Sequence, residues 1–151
     1  MQVTQATSAP TIAQNYHRIQ SLSVIGGFLD GQKLEFSAGL NCLIGARGTG
    51  KTTALEFIGY ALGNQNSSGD RKQEESLFKQ NLGGGRIQIA VETNDGITYH
   101  ISRAYGEDPI VVTAEGKPTT LSLDSGGLFR TNLYHQNEIE QIADRHQYQL
   151  D

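Results

Sequence analysis

The sequence predicts an α/β fold, because three kinds of pattern follow one another along the chain. A short apolar run at 40–44 leads into a glycine-rich loop, and residues 51–62 then repeat apolar side chains at helical spacing. The middle third alternates polar and apolar residues around an Asp-Gly turn, which is typical of antiparallel strands. A second helical pattern covers 138–148. With 151 residues, the chain has room for one domain.

The first 15 residues are polar and predict a flexible lead-in, followed by a single domain over 16–151. Two alternating segments, 16–24 and 33–37, predict a strand pair with a glycine-rich connection. Together with the apolar strand at 40–44, they lead us to expect a mixed sheet beside an antiparallel subdomain.

The antiparallel subdomain is predicted from three alternating segments. These are 86–93, 97–104 and 110–113, and the Asp-Gly turn joins the first two. A short helix is predicted at about 74–81, and a short strand at 133–135 precedes the C-terminal helix.

Composition excludes several classes of protein. Twelve basic and 16 acidic residues give a net charge of −4, which does not suit nucleic-acid binding by bulk charge alone. No apolar stretch approaches the ~20 residues of a membrane helix, and no secretory signal opens the chain, so we expect a cytoplasmic protein. The one cysteine, Cys42, excludes an internal disulfide and is expected to be a small buried residue. The four histidines lack zinc-ligand spacing.

Residues 45–52, Gly-Ala-Arg-Gly-Thr-Gly-Lys-Thr, match the phosphate-binding pattern G-x-x-x-x-G-K-[ST]. Glycines let the backbone curl until successive N–H groups point into one concavity, and the helix that follows directs its positive end at the same anion. The alternative is a glycine-rich strand-to-helix turn with an incidental Lys-Thr pair. The candidate ATP-binding residues are Gly45, Ala46, Arg47, Gly48, Thr49, Gly50, Lys51, Thr52 and Thr53.

Within this loop each polar side chain has a predicted role. Lys51 supplies a positive charge to the β- and γ-phosphates, Thr52 offers its hydroxyl to Mg²⁺, and Thr53 is placed for the α-phosphate. The expected cofactors are therefore ATP and Mg²⁺.

Hydrolysis also needs an acidic residue after a buried strand to hold Mg²⁺, and a group that positions water. Glu92 is the nearest candidate, but the alternation over 86–92 predicts that it faces solvent. The run that leads to Glu115 has the wrong length. The sequence thus offers no convincing Walker B carboxylate.

Residues 40–63, LNCLIGARGTGKTTALEFIGYALG, resemble the N-terminal lobe of SMC/RecF/RecN-type ATPase heads. These are ABC-type ATPases of chromosome maintenance, double-strand-break repair and antiphage defence. Residues 134–142, YHQNEIEQI, are similar to the Q-loop segment of that family, in which a glutamine precedes a helix leading into a coiled coil. The resemblance covers about 16–150.

The resemblance implies that Gln136 completes the Mg²⁺ shell and senses the γ-phosphate, so that Lys51 and Gln136 are the catalytic residues and Thr52 and Gln136 the metal ligands. Taken alone, Gln136 is a surface glutamine at a helix N-terminus. Arg47 stands where many relatives have Asn. Three interpretations of its side chain are open: it contacts a phosphate, it contacts a partner subunit, or it faces solvent.

In the family, the signature motif, Walker B, D-loop and switch histidine follow the coiled coil, and this sequence lacks them. We therefore expect a fragment of a longer ATPase, inactive alone, that needs its C-terminal half. The resemblance also implies a homodimer that forms on ATP binding, acting with DNA and a nuclease-type effector and without a membrane partner. The rival interpretations are a nucleotide-sensing or scaffolding module without turnover, and a small P-loop phosphotransferase.

Overall fold

The computed structural model describes residues 2–5, 16–63, 71–123 and 131–134. In chain order, its elements are β1 (Gln2–Gln5), β2 (Arg18–Ile25), β3 (Lys33–Glu35), β4 (Asn41–Ile44), α1 (Lys51–Ala61), α2 (Arg71–Asn81), β5 (Arg86–Glu92), β6 (Thr98–Ala104) and β7 (Ile110–Thr113).

Several predictions fall outside the described residues and stay predictions. They are most of the lead-in predicted over 1–15, the C-terminal helix over 138–148 with its continuation toward a coiled coil, and the role of Gln136. Within the lead-in, the prediction is wrong for Gln2–Gln5, which form β1 because they pair with β4. The predicted strand at 133–135 is not formed at 133–134, which have no regular structure.

The main sheet has five strands in the order β3-β2-β5-β6-β7, and β1 pairs with β4 in a separate two-stranded sheet. The predicted hairpins are confirmed, with Leu22 opposite Leu34 and Ile89 opposite Ile101. The expected mixed sheet is wrong for the described part of the chain, where every strand pair is antiparallel. Short turns join most of the neighbouring strands, and a parallel pair would need a long crossover instead.

Helix α1 is flanked by glycines, as its sequence predicts. Gly50 is the N-cap, with a φ of 87°. Gly63 has a φ of 75°, and its N–H donates a 3.1 Å hydrogen bond to the carbonyl of Tyr60. Only glycine enters this left-handed region without strain, so the helix stops where the sequence changes to Gly-Asn. Helix α2 begins at Arg71, three residues before the predicted start, and ends as predicted at Asn81.

One hydrophobic core joins α1 and the end of α2 to the main sheet. Phe57 of α1 is fully buried, and its ring stacks on Phe78 of α2 with centroids 5.8 Å apart. Ile87, Ile89 and Val91 of β5 belong to the same core. This packing fixes the axis of α1, and with it the position of the loop at its N-terminus.

Strand β4 is covered on one side only. Alternate residues of a strand point to opposite faces, and Leu43 packs on the core whereas Cys42 and Ile44 are exposed. The prediction that Cys42 is buried is therefore wrong. Its run of apolar neighbours suggested a strand covered on both faces, but only the face that carries Asn41 and Leu43 is partly covered.

Candidate functional site

The loop between β4 and α1 has a backbone that only glycines allow. Gly48 and Gly50 have φ values of 82° and 87°, in the left-handed region that costs other residues roughly 1–2 kcal/mol. A Cβ on Gly45 would lie 2.6 Å from Oγ1 of Thr49, so the Thr49 side chain would have to move to admit a larger residue. Each of the three glycines of the motif thus has a structural reason.

Lys51 folds back over this loop. Its Nζ donates hydrogen bonds of 2.7 Å to the carbonyl of Gly45 and 2.8 Å to the carbonyl of Ala46. The hydroxyl of Thr49 also donates to the carbonyl of Ala46, at 2.9 Å. The ammonium group therefore sits over the start of the loop, where it can meet an anion held by the loop.

The first turn of α1 offers unpaired backbone donors. The first helical bond runs from the N–H of Ala54 to the carbonyl of Gly50, at 2.8 Å. The N–H groups of Lys51, Thr52 and Thr53 precede it and have no intrahelical acceptor. They lie at the positive end of the helix dipole, and the side chain of Thr52 is exposed. Loop and first turn together fit a polyphosphate, with the Thr52 hydroxyl accessible to a phosphate-bound cation.

Two residues that sequence reasoning missed lie against the loop. A Cβ on Gly50 would lie 2.6 Å from Cδ2 of Leu29 and 3.1 Å from Cε1 of Phe28. Leu29 is buried, whereas the side chain of Phe28 is 55% exposed. The Gly26-Gly27 pair just upstream predicts only a turn from the sequence, and in the structure Gly27 is packed against the Asn81 carbonyl.

Glu92 was expected to face solvent, and this is wrong. Its carboxylate is half-buried, and Oε2 accepts hydrogen bonds from Nε and Nη2 of Arg18, at 3.1 and 2.7 Å, and a third from Gln20. The hydrogen bond from Arg18 lowers the pKa of Glu92, and burial opposes it. Sequence reasoning missed this pairing because Arg18 lies 74 residues away.

Glu92 is also at the wrong end of its strand for the phosphate loop. Phe28 borders the loop and lies three residues after Ile25, the last residue of β2. Ile25 pairs with Arg86, so the loop is near the Arg86 end of β5, and Glu92 is at the other end. The six-residue rise from Arg86 to Glu92 spans about 20 Å. Glu115 lies in the turn after β7, where it accepts a 2.7 Å hydrogen bond from the Thr113 hydroxyl. Neither carboxylate acts as a Walker B residue in this arrangement.

Arg103 is a third missed residue, at the other end of α1. It is 6% exposed, and its Nη1 donates a 2.8 Å hydrogen bond to the carbonyl of Tyr60. The guanidinium also lies 4.3 Å from the centre of the Tyr60 ring. A cation at a helix C-terminus complements the dipole. The sequence does carry a signal for this residue. Tyr99, Ile101 and Arg103 are alternate residues of one strand, so a charged side chain falls on an apolar face.

A cavity of about 380 Å³ opens on another side of α1, lined among others by Tyr16, Phe36, Asn41 and Ile58. Asn41 begins β4, whereas the phosphate loop follows the end of β4. The cavity is therefore separate from the loop, and residues 45–53 do not line it.

Arg47 is exposed on the loop, and Gln136 lies outside the described residues. Within the part of the chain that the structure describes, no three His, Cys, Asp or Glu side chains group as metal ligands. No helix among the described residues is both long and apolar enough to cross a membrane.

Comparison with known proteins places the chain in a family. The family model described as AAA domain matches residues 21–149. The Rad50 ATPase of DNA double-strand break repair from Sulfolobus acidocaldarius is 35% identical over 95 residues, which cover 61% of this chain and 10% of that protein. The Septu protein PtuA from Bacillus thuringiensis is 31% identical over 124 residues, or 71% of this chain and 30% of that protein. No solved structure matches significantly.

The chain thus spans between a tenth and about a third of the curated relatives it matches. The family match includes the whole phosphate loop, α1 and the antiparallel strands β5–β7. The chain belongs to the AAA-domain family, as the N-terminal region of an SMC- and Rad50-like ABC-type ATPase.

Proposed function

We propose that this chain binds ATP with Mg²⁺ through residues 45–53, as the N-terminal lobe of a dimerising SMC-like ATPase head. The observation that carries the proposal is the placement of Lys51, whose ammonium lies 2.7 and 2.8 Å from two loop carbonyls beside the open amides of the first turn of α1. A polyphosphate is the ligand that such a loop, cation and helix N-terminus fit together.

Each residue has a defined part in the proposed complex. The loop amides hold the phosphates, Lys51 contacts the β- and γ-phosphates, and Thr53 contacts the α-phosphate. Thr52 and Gln136 would hold Mg²⁺, which when bound neutralises charge between the phosphates. Gln136 would also sense the γ-phosphate.

Turnover requires more than this chain. Hydrolysis needs a carboxylate at the metal, and Glu92 is held at the far end of β5 by Arg18. The chain alone is therefore proposed to bind ATP without hydrolysing it. A C-terminal half with the remaining motifs, and a second copy of the head, would complete the ATPase.

The named relatives suggest the biological setting. One is a Rad50 ATPase of double-strand break repair, and the other is a Septu protein. We propose that the intact protein acts in DNA repair, chromosome maintenance or phage defence, in the cytoplasm, with DNA or a nuclease-type effector as its partner. This step rests on similarity to these relatives.

The test is calorimetric titration of ATP·Mg²⁺ into the chain and into Lys51→Ala, with phosphate release followed on the same samples. Lys79→Ala, on the exposed side of α2, is the matched control. We expect Lys51→Ala to lose at least tenfold in affinity, Lys79→Ala to bind like the wild type, and no variant to release phosphate. Equal binding by Lys51→Ala would refute the site, and turnover by the wild-type chain would refute the need for a second half.

A second candidate function is a nucleotide-sensing module that never turns over. The position of Glu92, paired with Arg18 and far from the loop, is the observation that favours it. The ATPase lobe and the sensing module are distinguished by adding the C-terminal half of a longer ATPase of this kind. Phosphate release should then begin only if the chain is an ATPase lobe.

A further inference from the structure

Arg47 lies at the corner of a tight turn near the start of the phosphate loop. The N–H of Thr49 donates a 3.4 Å hydrogen bond to the carbonyl of Ala46, and Gly48 has a φ of 82°. Arg47 itself has a negative φ, because in the part of the chain that the structure describes only glycines have a positive one. These features define a type II β-turn over 46–49, with Arg47 at its second position and Gly48 at its third.

The Ala46 carbonyl ties this turn to α1. Besides the Thr49 N–H, it accepts a 2.9 Å hydrogen bond from the Thr49 hydroxyl and a 2.8 Å hydrogen bond from Nζ of Lys51, the first residue of α1. The side chain of Arg47, which follows this carbonyl directly, is exposed. The turn therefore presents Arg47 from a fixed backbone position beside the Lys51 ammonium, and a fixed position lowers the cost of ordering the side chain on binding.

No carboxylate neutralises the positive charge of Arg47 within the described residues. Residues 36–55 contain neither Asp nor Glu, and the first turn of α1 carries no acidic side chain. None of the ion pairs among the described residues involves Arg47. The whole chain is acidic, with a net charge of −4, yet this loop offers two cations, Arg47 and Lys51, to an anion.

The direction of the bound nucleotide decides which phosphate lies nearest to Arg47. Thr53, in the first turn of α1, is placed for the α-phosphate, and Lys51 for the β- and γ-phosphates. The Lys51 ammonium lies 2.7 Å from the carbonyl of Gly45 and 2.8 Å from that of Ala46. The terminal phosphate therefore belongs at the start of the loop, next to Arg47.

We propose that Arg47 binds the γ-phosphate of the nucleotide held by the same loop and makes the site selective for nucleoside triphosphates over diphosphates. This inference rests on the proposed function and adds a residue that distinguishes the two states of the nucleotide. A guanidinium presents its donors in a planar fork that matches two oxygens of one phosphate. A diphosphate has no γ-phosphate to pair with this fork, so it gains nothing from Arg47.

The first test compares nucleotides with and without a γ-phosphate. ATP and ADP, each with Mg²⁺, are titrated calorimetrically into the wild-type chain, Arg47→Met and Arg47→Lys. We expect Arg47→Met to bind ATP about tenfold more weakly and ADP within about twofold of the wild type, since charge-assisted hydrogen bonds to the γ-phosphate are lost. Arg47→Lys keeps the charge but not the fork, so its ATP affinity should lie between those of the wild type and Arg47→Met.

Lys117→Met is the matched control for the loss of one positive charge. Lys117 is exposed in the turn after β7. Thr113, at the end of β7, pairs with Tyr99, which pairs with Val91 near the end of β5 that is remote from the loop. Lys117→Met should therefore change neither affinity. Equal losses of ATP and ADP affinity in Arg47→Met, or equal losses of ATP affinity in Arg47→Met and Lys117→Met, would overturn the γ-phosphate contact.

The second test asks whether the contact lies within one chain. The loss of ATP affinity in Arg47→Met is measured at a low and a high concentration of the chain, and sedimentation of the same samples measures self-association. We expect the same loss at both concentrations, because loop and guanidinium belong to one molecule. A loss confined to the self-associated chain would assign the Arg47 contact to a partner copy and overturn the proposal.

The outcomes separate the two proposals. If Lys51→Ala abolishes the binding of ATP but Arg47→Met leaves the ratio of ATP to ADP affinity unchanged, the phosphate site stands and the role of Arg47 falls. If the wild-type chain does not bind ATP, or if Lys51→Ala binds it as well as the wild type does, both fall.

Discussion

Nη1 of Arg103 lies 2.8 Å from the carbonyl oxygen of Tyr60, in the last turn of the helix that begins at the phosphate loop. The hydroxyl of Tyr60 in turn accepts a 3.0 Å hydrogen bond from the N–H of Gly106 and donates to the carbonyl of Ala104. Strand β6 and the turn after it therefore hold α1 by its C-terminal end, while the first N–H groups at its N-terminal end have no intrahelical acceptor.

Loss of Arg103 should destabilise the chain. In Arg103→Met, the hydrogen bond to the Tyr60 carbonyl and the contact with the Tyr60 ring are both lost, and we expect the free energy of unfolding to fall by about 2 kcal/mol. Urea unfolding followed by circular dichroism measures it. Arg47→Met is the control, since Arg47 is exposed, and its effect should stay within about 0.5 kcal/mol. Equal effects of the two variants would show that the Arg103 contacts contribute nothing.

Two glycines with the same backbone angle should respond differently to alanine. Gly27 has a φ of 71° and Gly31 a φ of 72°. Alanine at Gly31 meets nothing within 4 Å and should cost only the left-handed strain, roughly 1–2 kcal/mol. Alanine at Gly27 would also collide with the Asn81 carbonyl and should cost clearly more, or prevent folding. Thermal unfolding of both variants is the measurement, and a Gly31→Ala chain that melts below Gly27→Ala would contradict the packing of the turn.

The Arg18–Glu92 pair should make stability depend on acidic pH. The pKa of Glu92 is lowered from its ordinary value of 4.5, chiefly by the hydrogen bond from Arg18. A carboxyl group with a lowered pKa adds stability above its unfolded pKa, and this is lost as pH falls through the folded pKa. Glu92→Gln should therefore be less stable than the wild type at pH 7, and the difference should shrink from about pH 5 downward.

Urea unfolding at several pH values between 7 and 3 tests this prediction. Glu35→Gln is the matched control, because Glu35 pairs with Lys33 on the surface and its side chain is 67% exposed. Solvent screens such a pair, so the Glu35→Gln effect should be smaller. If the difference in free energy of unfolding between the wild type and Glu92→Gln stayed constant with pH, the result would contradict the ion pair. Glu92→Gln should also leave ATP·Mg²⁺ affinity unchanged, because Glu92 lies at the end of β5 away from the loop.

Cys42 should react readily with a thiol reagent in the folded chain. It is the single cysteine of the sequence and is exposed on β4. The release of thionitrobenzoate from Ellman's reagent should therefore proceed in native buffer at a rate within about tenfold of that in urea, since accessibility of the thiol governs its reactivity. Cys42→Ser supplies the blank. Reaction only after unfolding would show that the exposed face of β4 is covered in solution.

Much of the fold was predictable because its signals are local. The glycines of the loop, the helical spacing of residues 51–62 and the Asp-Gly turn each act within a few residues, and the structure forms all three. Gly63 ends α1 for the same reason, as the left-handed angle is a property of that one residue.

The errors concern contacts that are distant in sequence. Glu92 meets Arg18 across 74 residues, and Arg103 meets the Tyr60 carbonyl across 43. The pairing of β1 with β4 joins residues about 40 positions apart, such as Gln2 and Ile44. The alternation of side chains predicts that a strand has two faces, but it does not say what covers each face. For this reason the sequence predicts a buried Cys42, which the structure shows to be exposed.

The phosphate-binding sequence pattern of residues 45–52, the helix that follows it and the resemblance to an ATPase family can all be read from the amino-acid sequence, because those properties reside in short segments. Three features appear only once the chain is folded: the carboxylates that stay away from the loop, the cation that holds the far end of α1, and the Phe28 ring beside Gly50. These contacts depend on the packing of whole elements against one core, and packing free energy is shared among residues that no local pattern connects.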